Sequence, residues 1–84
     1  MKFCVITFRS VTPAQRGEGA LKRAGLDCTL QRTPRWIQEQ GCGYSLRLRY
    51  RDVTMAAEIL RQKRIAYRKI YTLREDGGLE EMAL

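Results

Sequence analysis

The pentapeptide Phe8-Arg9-Ser10-Val11-Thr12 returns at an offset of 42 residues as Tyr50-Arg51-Asp52-Val53-Thr54, and Leu26 meets Ile65 at an offset of 39. Each copy sits at the same place in a local pattern. Phe3 to Phe8 is β-prone and apolar on both alternations except at Thr7, as a central strand requires. Ser10 or Thr12 can then cap a helix on which Ala14, Gly17 or Glu18, Leu21 and Ala24 repeat at helical spacing, and Gly25 stops it. Leu26 to Arg32 follows as a strand with Cys28 and Leu30 inward. In the second half Tyr44, Leu46, Leu48 and Tyr50 alternate with Ser45, Arg47, Arg49 and Arg51. Asp52 caps a helix with Val53, Ala56, Ala57 and Leu60 as its apolar stripe, and Tyr67 to Leu73 forms the last strand. A repeated βαβ unit in so short a chain predicts an α+β fold, the ferredoxin-like βαββαβ sandwich. Right-handed crossovers place its two helices on one face of a four-stranded antiparallel sheet. One domain is expected over residues 1–73, and an acidic tail, 74–84, is expected to fray.

Arg47 and Arg49 then fall on the sheet face that no helix covers. The charge makes that face worth noting, since residues 1–73 hold 15 Lys and Arg against 5 Asp and Glu, a net of +10. Nucleic acid, acidic protein surfaces and small anions are the partners such a balance favours. No apolar run is long enough for a bilayer, and MKFCVITFRS meets Arg9 too soon for a secretory signal, so the expected location is cytoplasmic.

The chain has no histidine, which removes Ser-His, Cys-His and His-metal constellations. Its cysteines, Cys4, Cys28 and Cys42, are three and lack CxxC spacing, so neither a disulfide framework nor a metal site is expected. Cys4 and Cys28 lie on inward alternations and read as small core residues. Cys42 stands between Gly41 and Gly43 at the end of the loop that begins at Thr33-Pro34-Arg35. A thiol there is nucleophilic at neutral pH only if cations or amide dipoles favour the thiolate, and Arg32, Arg35 and Arg47 are the candidates. The same groups could hold an anion instead, and an idle exposed cysteine weighs as much as a working one.

The succession of FRS before a helix, LKRAGLDCTLQRTPR, and GCGYSLRLRY resembles the selenium/sulfur carrier-like family over about residues 2–73. A Thr-Pro-Arg triplet followed by Cys42-Gly43 at the head of a strand is the shared signature. The resemblance implies that Cys42 accepts sulfur or selenium as a persulfide or selenosulfide and passes it on by thiol exchange. It further implies Arg35 as the stabilising cation, Gly41 and Gly43 as room and amide donors, and Pro34 as a restraint on the turn. Thr33 completes the supporting set. No cofactor is needed. The partners implied are a donor such as a cysteine desulfurase and an acceptor, and the role is that of a carrier rather than an enzyme with turnover of its own.

Trp36 in the loop is either a docking anchor or a plug at the end of the core. A nucleic-acid module is the rival reading, with Arg47, Arg49 and Arg32 on phosphate, although neither FCVITF nor GYSLRLRY carries the aromatic motif of RNA-recognition sheets. The open sheet face could also pair two copies of the chain.

Overall fold

The apolar run that opens the chain is hydrogen-bonded on both edges. β1 (Phe3–Phe8) lies antiparallel between β3 (Tyr44–Arg49) and β4 (Ile70–Leu73), with Ile6 opposite Leu46 on one side and Ile70 on the other. Its residues Cys4, Val5, Ile6, Thr7 and Phe8 are all buried, which is why both alternations of FCVITF are apolar. β2 (Cys28–Arg32) pairs with β3 at one edge and β5 (Leu79–Met82) with β4 at the other, giving the order β2-β3-β1-β4-β5. These features belong to a computed structural model that describes residues 2–33 and 43–83.

The sheet therefore has five antiparallel strands where four were expected, and the acidic tail supplies the fifth. Gly77, at φ 87°, donates its N–H to the Arg74 carbonyl (3.0 Å), and the Arg74 N–H returns to Gly78 (2.8 Å). This is a three-residue hairpin loop whose last position needs a left-handed backbone, natural for glycine. The Gly78 N–H bonds the Asp76 carboxylate at 2.8 Å and the Arg74 guanidinium lies 3.4 Å away; together they hold that carboxyl below its usual range. Leu79-Glu80-Glu81-Met82 conceals its strand character because two successive carboxylates interrupt the alternation. Glu81 is 3.5 Å from Lys69 and Glu80 is 3.9 Å from Arg74.

β4 also starts later than the alternation suggests. The Arg68 N–H donates to the Thr7 carbonyl (2.8 Å), the Thr7 N–H donates to the Lys69 carbonyl (2.8 Å), and the Lys69 N–H bonds the Thr7 hydroxyl (3.1 Å). Two residues thus stand against one, and the regular ladder resumes only at Ile70.

Both helices bury their stripes on one sheet face. α1 (Val11–Arg23) contributes Ala14, Gly17, Ala20 and Leu21, and α2 (Val53–Gln62) contributes Val53, Ala56, Ala57 and Leu60, against Ile6, Phe8, Leu46, Leu48 and Ile70. Gly17 lies where the two helices and the sheet meet. A Cβ placed there would stand 3.2 Å from each of Leu46, Leu60 and Phe8. Ser10 and Asp52 occupy the N-cap positions without donating or accepting a side-chain cap bond. Ahead of α2 a 3-10 turn, Tyr50–Asp52, already engages the Val53 N–H with the Tyr50 carbonyl, which leaves the carboxylate one orphan donor fewer to satisfy. No helix among the described residues is long and apolar enough to cross a membrane.

The two halves also end their helices alike. Gly25 donates to the Lys22 carbonyl and Leu26 to that of Leu21; Arg64 donates to Arg61 and Ile65 to Leu60. Both are Schellman closures, with the αL residue followed by an apolar one. In the first half that residue is Gly25 (φ 85°), in the second Arg64 (φ 56°). Arg64→Gly is expected to stabilise the fold by about 0.5–1 kcal/mol, since the left-handed strain of a Cβ-bearing residue disappears. A rise in the urea midpoint with unchanged m-value checks this; an unchanged or lowered midpoint contradicts it.

Candidate functional site

The β2–β3 ladder runs one bond beyond its last strand pair. After Arg32 opposite Tyr44, the Thr33 N–H donates to the Gly43 carbonyl at 3.1 Å, so the two ends of the loop are tied together by backbone. Pro34, Arg35, Trp36, Gly41 and Cys42 lie outside the described residues. What is described is the base on which this loop stands. Thr33 and Gly43 are paired there, Ser45 follows two residues on, and Thr7 lies opposite Ser45 across β1.

Thr33 and Ser45 are 3% and 0% exposed, yet neither hydroxyl has a hydrogen-bond partner among the described residues. Buried polar groups are almost always satisfied, because leaving one unpaired costs about 1–3 kcal/mol. The Thr7 hydroxyl beside them is engaged with Lys69, accepting from its N–H and donating to its carbonyl. Alternation had put Ser45 among solvent-facing residues, and Thr7 entered the reading only as an interruption of an apolar run. The available signal was that both are small hydroxyls on one sheet face beside the loop.

A Cβ placed on Gly43 would meet nothing within 4 Å among the described residues.

Cys4 and Cys28 are free and buried, as read from their inward alternation. Burial pushes the Cys4 thiol up, partly offset by the Thr72 hydroxyl, 4.0 Å away, and by the charge of Lys2. Burial likewise raises Cys28, reinforced by the carboxylates of Glu18 and Asp27 and opposed by Lys22. The sign of the linkage follows. A thiol raised in the folded state keeps its proton where the unfolded chain, titrating near ~8.5, loses it. The stability from both groups is therefore present below that pH and lost above it, at up to about 1.4 kcal/mol per pH unit per thiol. Urea midpoints should fall between neutral and alkaline pH, and Cys28→Ala should flatten the fall. An equal fall in that variant would contradict the assignment.

The arginines picked out in the sequence separate. Arg32 stays at the loop end, its guanidinium 5.4 Å from the centre of the Tyr44 ring. Arg47 lies four residues past Gly43, about 13 Å along the strand, and stacks at 4.0 Å over Phe3. Arg49 is further still, 3.9 Å from Asp27. Only Arg32 of these three remains a neighbour of the loop base. Among the described residues no three Cys, Asp or Glu side chains converge to hold a metal ion.

A protein-family model described as "Putative Se/S carrier protein-like" matches residues 3–72, which spans every element except β5 and the final residue of β4. No curated protein and no solved structure matches the chain.

Proposed function

From the premise that the chain belongs to the Se/S carrier protein-like family, we propose that it carries sulfur or selenium on Cys42, on a ferredoxin-like sandwich extended by a fifth strand. The observation that best supports this reading is the pair of buried hydroxyls, Thr33 and Ser45, which have no partner among the described residues and lie beside the residue that follows Cys42. Each can donate a hydrogen bond. A thiolate, or the terminal anion of a persulfide or selenosulfide, is an acceptor that gains most from donors in a water-poor setting. Arg35 adds the cation, Gly41 and Gly43 the room and amides, and Pro34 a restrained turn. Arg32 lies at the same end of the sheet.

The chemistry is balanced without an oxidant. The Cys42 thiolate attacks the terminal sulfur of a donor protein's persulfide; the new Cys42 S–S bond forms as the donor S–S bond breaks. The donor leaves as a thiolate, and the sulfane proton stays with the transferred sulfur or passes to solvent. An acceptor nucleophile repeats the step on the loaded protein. Cys4 and Cys28 do not compete, because burial denies them both access and ionisation.

Incubation with a cysteine desulfurase and cysteine tests this by intact mass and peptide mapping. The expected result is a gain of ~32 Da at Cys42, removed by a reducing thiol. An unmodified Cys42, or a gain distributed over all three cysteines, would sink the proposal.

A further inference from the structure

At the end of the sheet remote from the loop, six residues along β3 from Gly43 or about 20 Å, cations and aromatic rings alternate. The Arg47 guanidinium lies 4.0 Å above the Phe3 ring, and the Lys2 ammonium lies 4.9 Å from the ring of Tyr50, which is 41% exposed. The two pairs stand back to back, because consecutive strand residues point to opposite faces: Arg47 and Phe3 lie on the face the helices leave open, Lys2 and Tyr50 on the other. Phe3 is the cross-strand partner of Arg49, and the Tyr50 N–H donates to the Lys2 carbonyl at 2.9 Å. Arg49 contributes to the lining of two open depressions, of about 310 Å³ on the Lys2–Tyr50 side and about 430 Å³ on the Phe3–Arg47 side.

The carboxylates nearby are accounted for. Asp27 reaches Arg49 only at 3.9 Å and is itself 87% exposed; Glu18 is bound to Lys22 at 3.2 Å and Asp52 to Arg51 at 4.0 Å. Arg47 and Lys2 have no carboxylate within ion-pair distance among the described residues. Both are laid over rings, as is Arg32 at the loop end.

We propose that this end of the open sheet face binds single-stranded nucleic acid, with Arg49 on a phosphate beside one stacking platform, Arg47 on Phe3. Guanidinium planes and exposed aromatic faces stack bases, and bases are free to stack only where the strand is unpaired. An acidic peptide would meet the charges but gain nothing from the rings. The site is separate from the loop base at Thr33 and Gly43 and does not depend on the chemistry of Cys42.

Fluorescence anisotropy with a labelled oligouridylate of about ten nucleotides, and its oligothymidylate counterpart, tests the assignment. Binding should weaken about two- to threefold between about 50 and 200 mM salt, as the one Arg49–phosphate contact on a single strand requires. Arg47→Ala combined with Arg49→Ala should lower affinity at least tenfold at unchanged melting temperature. Arg47→Lys keeps the charge but not the plane, and should still lose several-fold. Cys42→Ser should bind as the parent does. Competition by polyglutamate as strong as by the oligonucleotide would identify a general polyanion surface and overturn the proposal. So would full affinity in Arg47→Lys, loss of binding in Cys42→Ser, or no binding at the lower salt. The ribose and deoxyribose arms decide which nucleic acid is preferred.

Discussion

Gly17→Val is expected to leave the protein largely unfolded at 25 °C, while Gly17→Ala is expected to fold with a lowered melting temperature. In an exposed helix either change would help, since glycine costs roughly 1 kcal/mol relative to alanine there. Here the first added carbon already meets three buried side chains, those of Leu46, Leu60 and Phe8, each at 3.2 Å. These belong to β3, α2 and β1, so no single element can yield without disturbing another. Overpacking of this kind costs about 1–3 kcal/mol for one methyl group, which outweighs the propensity gain. Valine adds two further methyl groups and a stiff χ1, and a cost above about 3 kcal/mol consumes much of the stability of a domain this size. Circular dichroism melts of the two variants check the ordering. A valine variant as stable as the parent would show that α1 can lift off the sheet without loss.

With a chromogenic disulfide at neutral pH, one thiol should react rapidly and two only as the protein opens, the phases differing by about a hundredfold or more. The separation follows from local unfolding. Cys4 and Cys28 are 0% and 9% exposed and lie in the one core that holds both helices to the sheet, so exposing them requires an opening of several kcal/mol. Each factor of ten in rate corresponds to about 1.4 kcal/mol of that opening. Cys42→Ser should delete the fast phase and chalcogen loading together, and leave the slow phases and the melting temperature in place. Three comparable phases, or a fast phase that survives the substitution, would count against Cys42 as the carrier residue. Thr33→Val and Ser45→Ala would then tell whether the unpartnered hydroxyls matter to loading or only to packing.

Much of the fold was legible in the repeat. The offset of 42 aligns Val11 with Val53, the first residues of the two helices, and the offset of 39 aligns Leu26 with Ile65, the apolar residues that close them. The three-residue change in offset is the difference in helix length, 13 residues against 10. Local sequence sufficed there because helix ends are decided by neighbours in the chain. β5 was not legible because its pairing, through Leu73 with Leu79 and Ile70 with Met82, depends on an edge that only the folded sheet offers. The candidate site was legible in part. Thr33 and Gly43 are joined as the loop reading required, but Arg47 belongs to Phe3, a partner about 44 places earlier in no local pattern. That the Thr33 and Ser45 hydroxyls lack partners among the described residues could not be read from sequence, since satisfaction is a property of three-dimensional neighbours.

The acidic hairpin strand has a consequence beyond completing the sheet. It sits at one edge while β2 forms the other, and the tail from Arg74 onward carries four carboxylates against one arginine, beside a body of net +10. Carboxylates are thereby gathered along the β5 edge, where an approaching polyanion would meet like charge before it met the basic body.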